Sequence, residues 1–362
     1  MTINHDHLLF SYHYELPKEY IAQEPVTPRD ISKLLVVQGD NQHHHGHFRD
    51  LPKFIQAGDL LVLNNTRVMP ARLFGHKTTG APVEVLLLEE REPHYWLALV
   101  KPGKRLKLGS RIVFSHSHEE HLQASPLTAK VVDRDEDTGG RWLKFEIQPG
   151  HTLEELLQEF GHVPLPPYIT DSHADPERYQ TVYGSNSGSA AAPTAGLHFT
   201  PELLGVLKDQ GVKIDFLTLH VGVGTFRPLE SLNITEHKMH QEWLEVSPKL
   251  VELIQETKRA GNRVYAVGTT VARALESAAA QGELQPYRGK TDLYIYPGYR
   301  WRVVDGMITN FHLPRSSLLL MVSSLIGRER LLSLYQEAIA KEYRFYSFGD
   351  AMLITPEAVH QL

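Results

Sequence analysis

Between residues 60 and 147 the chain alternates short runs of branched and aromatic residues with clusters of Gly, Pro, Asp and His. The runs are LLVL (60–63), VEVLLL (83–88), YWLALV (95–100), RIVF (111–114), AKVV (129–132) and WLKFEI (142–147). Runs of this length bounded by turn formers predict strands, and no helix-period pattern competes with them here. They predict an all-β, barrel-like domain over 59–150. Elsewhere helix and strand signals alternate. Thr152 and Glu155 form a capping box ahead of LEELLQEF. Thr200 then Pro201 opens a second helix that Gly211 stops, and Ser247-Pro248 opens a third that Gly261 stops. Strands are expected at 33–37, 212–221, 263–267, 293–296 and 301–304, and helices from 269, over 317–326 and over 328–340. Such alternation implies an α/β layer structure. The expected architecture is an α/β main domain formed by both chain ends (1–58 plus 151–362) with the all-β domain inserted.

The bulk numbers narrow the setting. A chain of 362 residues suggests two or so domains at ~150 residues each. There is no cysteine, which excludes disulfides, thiolate catalysis and iron–sulfur ligation. No apolar run approaches the ~18 residues of a membrane span, and the start, MTINHDHLLF, lacks a secretory pattern. A cytoplasmic monomer is the expectation. A net charge of −6 argues against a general nucleic-acid coating protein, but a local patch sets the local field. Lys101, Lys104, Arg105, Lys107 and Arg111 make one such patch, either a solvated hairpin or an RNA-contacting edge. His43–His45 lie in a Gly/Asn/Asp-rich stretch that reads as an exposed turn, with metal binding as the lesser alternative.

Candidate chemistry concentrates in two segments. GSAAAPTAGLHFT (188–200) delivers His198 just before a helix start, where the helix dipole favours a neutral imidazole. TLHVGVGTFRPL (218–229) places His220 at a strand end and follows it with Gly222, Gly224 and Thr225. Ligands in α/β sheets bind beyond the carboxyl ends of strands. A second such end is Val267, where Gly268-Thr269-Thr270 opens the helix carrying Arg273 and can face an anion. HKMHQEW (237–243) holds His237, His240 and Glu242, either as a partial ligand set or as a polar surface. NNTRVMPARL (64–73) offers Asn65, Arg67 and Arg72 for anion or base recognition. There is no GxxxxGK[ST], GxSxG or GxGxxG motif.

These segments, with GHVPLPPYI (161–169), ERYQTVY (177–183), GNRVYAVGTTVARALES (261–277), DLYIYPGY (292–299) and TNFHLPRSSLL (309–319), closely resemble the S-adenosylmethionine:tRNA ribosyltransferase-isomerase family, from about Tyr14 to Ile354. The resemblance implies an α/β domain carrying an inserted β-barrel. It also implies transfer and isomerisation of the ribosyl group of S-adenosylmethionine onto 7-aminomethyl-7-deazaguanine at the tRNA wobble position. Epoxyqueuosine-tRNA is formed, and adenine and methionine are released. No metal and no cofactor beyond the co-substrate are implied, and the partners are S-adenosylmethionine and tRNA. On that reading His198 and His220 share the proton transfers, with His240 and Glu242 as lesser candidates. Thr225, Thr269, Thr270 and Arg273 would meet the methionine carboxylate or a phosphate, and Asn65, Arg67 and Arg72 the base or backbone. Tyr179 and Tyr183 would stack on adenine or a splayed base, and Lys101, Lys104, Arg105 and Lys107 would contact tRNA. The competing classes are an S-adenosylmethionine-dependent methyltransferase and a non-catalytic RNA-binding module.

Overall fold

Lys33–Gln38 (β1) is an apolar run with buried central residues, and it pairs antiparallel with the polar edge strand Gln42–His47 (β2). In the computed structural model, residues 4–39, 41–117, 125–136, 138–170, 172–222, 229 and 231–360 are described. The chain divides into two units, Met1–Arg67 with Pro166–Asn186 and Ala192–Leu362, and Val68–Leu165 with Ser187–Ala191. Leu60–Asn64 (β3) follows β1 and β2 in the first unit. The second unit then supplies β4 (Arg72–Lys77), β5 (Pro82–Glu92), β6 (Tyr95–Lys101), β7 (Arg111–Ser115), β8 (Leu127–Arg134), β9 (Arg141–Ile147) and helix α1 (Leu153–Phe160). The chain returns to the first unit with α2 (Pro201–Asp209), β10 (Lys213–Leu219), β11 (Glu242–Val246), α3 (Pro248–Arg259), β12 (Val264–Val267) and α4 (Thr269–Ala278). It ends with β13 (Tyr287–Thr291), β14 (Gly306–Asn310), α5 (Ser317–Ile326), α6 (Arg328–Ala340) and β15 (Ala351–Ile354).

The first unit is built on a nine-stranded mixed sheet in the order β13-β11-β10-β3-β12-β14-β15-β1-β2. Its middle is parallel: β10, β3, β12 and β14 run together. Parallel strands are covered on both faces and read as continuous apolar runs. That explains one departure from the sequence reading. LLVLN is buried at every position and sits between β10 and β12, so it belongs to the large sheet and not to the β domain. The boundary expected at 58/59 falls after Arg67, and α1, expected in the α/β part, lies in the second unit.

In the second unit six antiparallel strands close on themselves, β4-β5-β6-β9-β8-β7 and back to β4. Inward-facing Leu73, Val85, Ala98, Phe114, Val131 and Leu143 fill the interior, joined by Leu156 and Phe160 of α1. The Thr152 hydroxyl and Glu155 carboxylate cap α1 reciprocally, as the sequence predicts. Closure depends on Gly75, where a Cβ would collide with the Val113 carbonyl oxygen and lie 3.0 Å from Phe114 Cα on the facing strand. Backbone cannot yield as a flexible side chain does. Gly75→Ala is therefore expected to destabilise by ~1–3 kcal/mol, read as a lower denaturation midpoint. A wild-type midpoint would mean that the seam accommodates a methyl group.

Two further expectations differ. Residues 293–296 and 301–304 bury Ile295, Val303 and Val304 yet form no strand. The buried Glu276 carboxylate accepts from the backbone N–H groups of Arg302, Val303 and Val304, so these donors need no neighbouring strand. Residues 43–45 form β2 and not a turn. Among the described residues no helix is long and apolar enough to cross a membrane.

Candidate active site

The parallel strands β10, β3, β12 and β14 end on one side of the sheet, and the segments leaving them carry its polar residues. Asn64, fully buried at the end of β3, fixes the neighbouring strand end. Its Nδ2 donates to the Leu219 carbonyl (2.9 Å), and its Oδ1 accepts from the N–H groups of Leu219 (3.0 Å) and Thr66 (3.1 Å). Beyond β12 and β14 a pocket opens to solvent. Its lining includes Thr194, Val221, Gly268, Thr269, Thr270, Thr309, Asn310, His312 and Tyr346. Its position matches a small-molecule site at parallel strand ends. Gly268, at φ +94°, adopts a backbone conformation that favours glycine and starts α4 at the pocket wall. The first turn of α4 thus presents Thr269 and Thr270 to the pocket.

His220 follows β10. Its ring stacks on Trp243 (centroids 5.1 Å apart, planes at 18°), and its Nδ1 lies 2.8 Å from Thr66 Oγ1. The Thr66 hydroxyl also lies 3.4 Å from the Asn186 carbonyl; when it donates there, the imidazole proton sits on Nδ1 and the Nε2 lone pair is available. Burial pushes the His220 pKa down, favouring the neutral ring. Glu242, at the start of β11, accepts from the Gly222 N–H (3.1 Å) and pairs with the Arg273 guanidinium. Both side chains are buried, at 3% and 5% exposure. The pair clamps the segment that leaves His220.

His198 is held differently from the sequence expectation. It ends a short 3₁₀ segment (Thr194–His198), buried and stacked on Phe48 at 4.9 Å. Asn310 Nδ2 donates to the Tyr346 carbonyl, which fixes the amide orientation, and lies 3.1 Å from His198 Nε2. Asn310 Oδ1 accepts from Thr194 Oγ1 (2.9 Å). Nε2 is therefore an acceptor, and Nδ1–H donates to Ser32 Oγ (2.7 Å). Burial first, and then the positive charges of Arg344 and Arg29, push its pKa down to about 3. The cause is desolvation and nearby cations, not the helix dipole. Both ring nitrogens are occupied, and the side chain backs the pocket wall through Asn310.

The remaining candidates separate. Asn65 Oδ1 accepts from Thr218 Oγ1 (2.8 Å), bracing β10. Arg67 pairs with Glu177 at 2.6 Å and stays partly exposed. Arg72 lies in the barrel unit against Glu84 (3.3 Å). Tyr179 is fully buried, edge-on to Phe348, so no base can stack on it. Tyr183 packs beside Phe216 against the apolar core, which likewise removes it as an open stacking platform. His240 is exposed, and Thr225 lies outside the described residues. Lys101, Lys104, Arg105 and Lys107 are exposed on the barrel unit, whereas Arg111 is engaged by Glu146. Sequence reasoning missed His312, whose Nε2 lies 2.8 Å from Thr309 Oγ1 and whose pKa burial pushes down to about 3. The available signal was a histidine just past a strand end, as at His220. Asn310 and Tyr346 gave no comparable signal.

Comparison with known proteins bears on this site. The profile of a family described as "Queuosine biosynthesis protein" matches residues 9–354. A Nostoc sp. protein named S-adenosylmethionine:tRNA ribosyltransferase-isomerase is 58% identical, over 98% of this chain and 94% of its own length. A protein of the same name from Desulfitobacterium hafniense is 51% identical, over 96% of this chain and 99% of its own. The crystal structure of an S-adenosylmethionine tRNA ribosyltransferase from Thermotoga maritima aligns with TM-score 0.54 at 39% identity, covering 95% of this chain and 99% of that one.

Proposed function

The chain belongs to the queuosine biosynthesis protein family, and from that premise we infer that it is an S-adenosylmethionine:tRNA ribosyltransferase-isomerase. It transfers and isomerises the ribosyl group of S-adenosylmethionine onto 7-aminomethyl-7-deazaguanine in tRNA, releasing adenine and methionine. The observation that carries this reading at the level of the site is the strand-end pocket lined by the first turn of α4 and by Val221, the residue that follows His220. A methyltransferase or a non-catalytic RNA-binding module is not favoured by the relatives.

The chemistry assigns work to particular atoms. The sulfonium acidifies the protons on the ribose 5′ carbon, and a base that removes one starts the loss of adenine. His220 Nε2 suits that role: the ring is neutral, Nδ1 is anchored on Thr66, and its lone pair has no protein partner among the described residues. His198 acts through Asn310 as a positioning residue. Thr269 and Thr270 at the α4 start receive the methionine carboxylate, where backbone N–H groups and the helix dipole favour an anion. Glu242 and Arg273 hold the His220 segment and do not touch substrate.

The direct test follows labelled carbon. Label in the ribose of S-adenosylmethionine should appear in tRNA and label in its methyl group should not; the reverse pattern would identify a methyltransferase.

The exposed Lys101, Lys104, Arg105 and Lys107 contact the tRNA backbone on this reading. Replacing all four with glutamine should weaken tRNA binding and flatten its dependence on salt by a log–log slope of ~0.7–0.9 per lost phosphate contact. An unchanged slope would remove the barrel edge from the tRNA interface.

A further inference from the structure

At the edge of the large sheet, four strands beyond β12 and roughly 19 Å across it, lies a second cluster of chemically capable side chains. Alternation along β2 sends His43 and His45 to one face and His44 to the other, where His44 meets Phe54 at 6.2 Å. Glu337 of α6 faces the first pair. Its Oε2 lies 2.9 Å from His43 Nε2, and its Oε1 lies 2.9 Å from His45 Nε2. The three candidate donor atoms lie within 4.8 Å of one another.

We propose that His43, His45 and Glu337 form a binding site for one divalent first-row transition-metal ion of the zinc class, with water completing the coordination. Two imidazoles and a carboxylate are the donor set for such an ion, whereas magnesium and calcium take oxygen ligands. Tetrahedral zinc with ligand bonds of ~2.0–2.1 Å sets its donor atoms roughly 3.3 Å apart. The observed contacts of 2.9 Å are close to that spacing, so small rotations admit the ion. In the metal-free protein each Nε2–H donates to one carboxylate oxygen; on binding, each neutral ring carries its single proton on Nδ1 and the cation takes the two Nε2 lone pairs.

An outer partner is already in place. The hydroxyl of the buried Tyr343 lies 2.8 Å from His45 Nδ1, where it can accept Nδ1–H once Nε2 binds metal. Such partners orient ligating histidines and raise their affinity. Lys341 Nζ, 4.0 Å from Glu337 Oε1, is the cation that gives way, and its side chain is half exposed. The ion would tie the exposed strand β2 to α6, elements nearly 300 residues apart in the chain. It would stabilise a sheet edge by mass action.

The test uses the untagged full-length chain after treatment with chelator, with zinc chloride competed against a chromophoric chelator. One equivalent should bind tightly. His43→Ala, His45→Ala and Glu337→Gln should each weaken binding at least ~10-fold, and Tyr343→Phe by about 10-fold. His44→Ala should bind as wild type. Wild-type affinity in His43→Ala and His45→Ala, or no saturable equivalent, would overturn the proposal. A measurement on unaltered protein guards against misfolded variants. Cobalt chloride should give a visible tetrahedral absorption that one equivalent of zinc abolishes and magnesium leaves intact. A purely octahedral spectrum, or one that magnesium removes, would contradict the site.

Discussion

Replacing His220 with glutamine is expected to lower kcat/KM for ribosyl transfer by ~10²–10⁴-fold, the usual loss when a positioned general base is removed. The effect should lie in kcat, because a general base acts in the transition state. The pH dependence carries the sign. A base works when unprotonated, so rate should fall as pH drops through the His220 pKa. Burial places that value below the ordinary 6.5, and the acid limb of the wild-type profile should therefore lie below pH 6.5. The glutamine variant should lose this limb. An acid limb above pH 6.5, or a variant profile that keeps the wild-type limb, would assign the proton transfer elsewhere.

The second large effect concerns stability. Arg273→Met removes the guanidinium from the buried Glu242 carboxylate, and breaking such a pair from one side costs about 3–5 kcal/mol. The denaturation midpoint should fall accordingly. Activity should fall further than the unfolded fraction explains, because Glu242 also holds the Gly222 N–H beside His220. Changing both members, Glu242→Gln with Arg273→Met, should recover part of the stability, since no isolated charge is left in the interior. Equal losses in the single and double variants would show that the pair does not act as a unit.

Local signals in the sequence were the ones most faithfully realised. The caps at Thr152, Thr200 and Ser247 satisfy their helix N–H groups within three residues, so nothing distant is needed to read them. Five of the six barrel strands were visible for a similar reason: each carries its own alternation between the interior and solvent, whereas β4 (Arg72–Lys77) was read as part of a polar segment. What failed depended on partners far along the chain. LLVLN looks like any buried strand, and only its parallel neighbours, more than 150 residues onward, decide which sheet takes it. WRVV has a strand's composition, but Glu276 supplies the hydrogen bonds a sheet would have supplied.

The same distinction runs through the site. His220 and the Gly268-Thr269-Thr270 turn were recognisable because a strand end followed by small residues is a local pattern. His198 also looked like a titrating group beside a helix. Its behaviour is set instead by Ser32, Phe48 and Asn310, which no spacing brings to its side. Tyr179 and Tyr183 were read as stacking surfaces, yet the fold buries one and packs the other against the core. An aromatic residue in a polar segment does not announce which side of the surface it occupies.

The most direct measurement of the central claim is the small-molecule yield from S-adenosylmethionine and tRNA bearing 7-aminomethyl-7-deazaguanine. Mass analysis should find adenine and methionine in equal amounts, each matching the number of bases converted in tRNA. Release of S-adenosylhomocysteine with neither product would contradict ribosyl transfer.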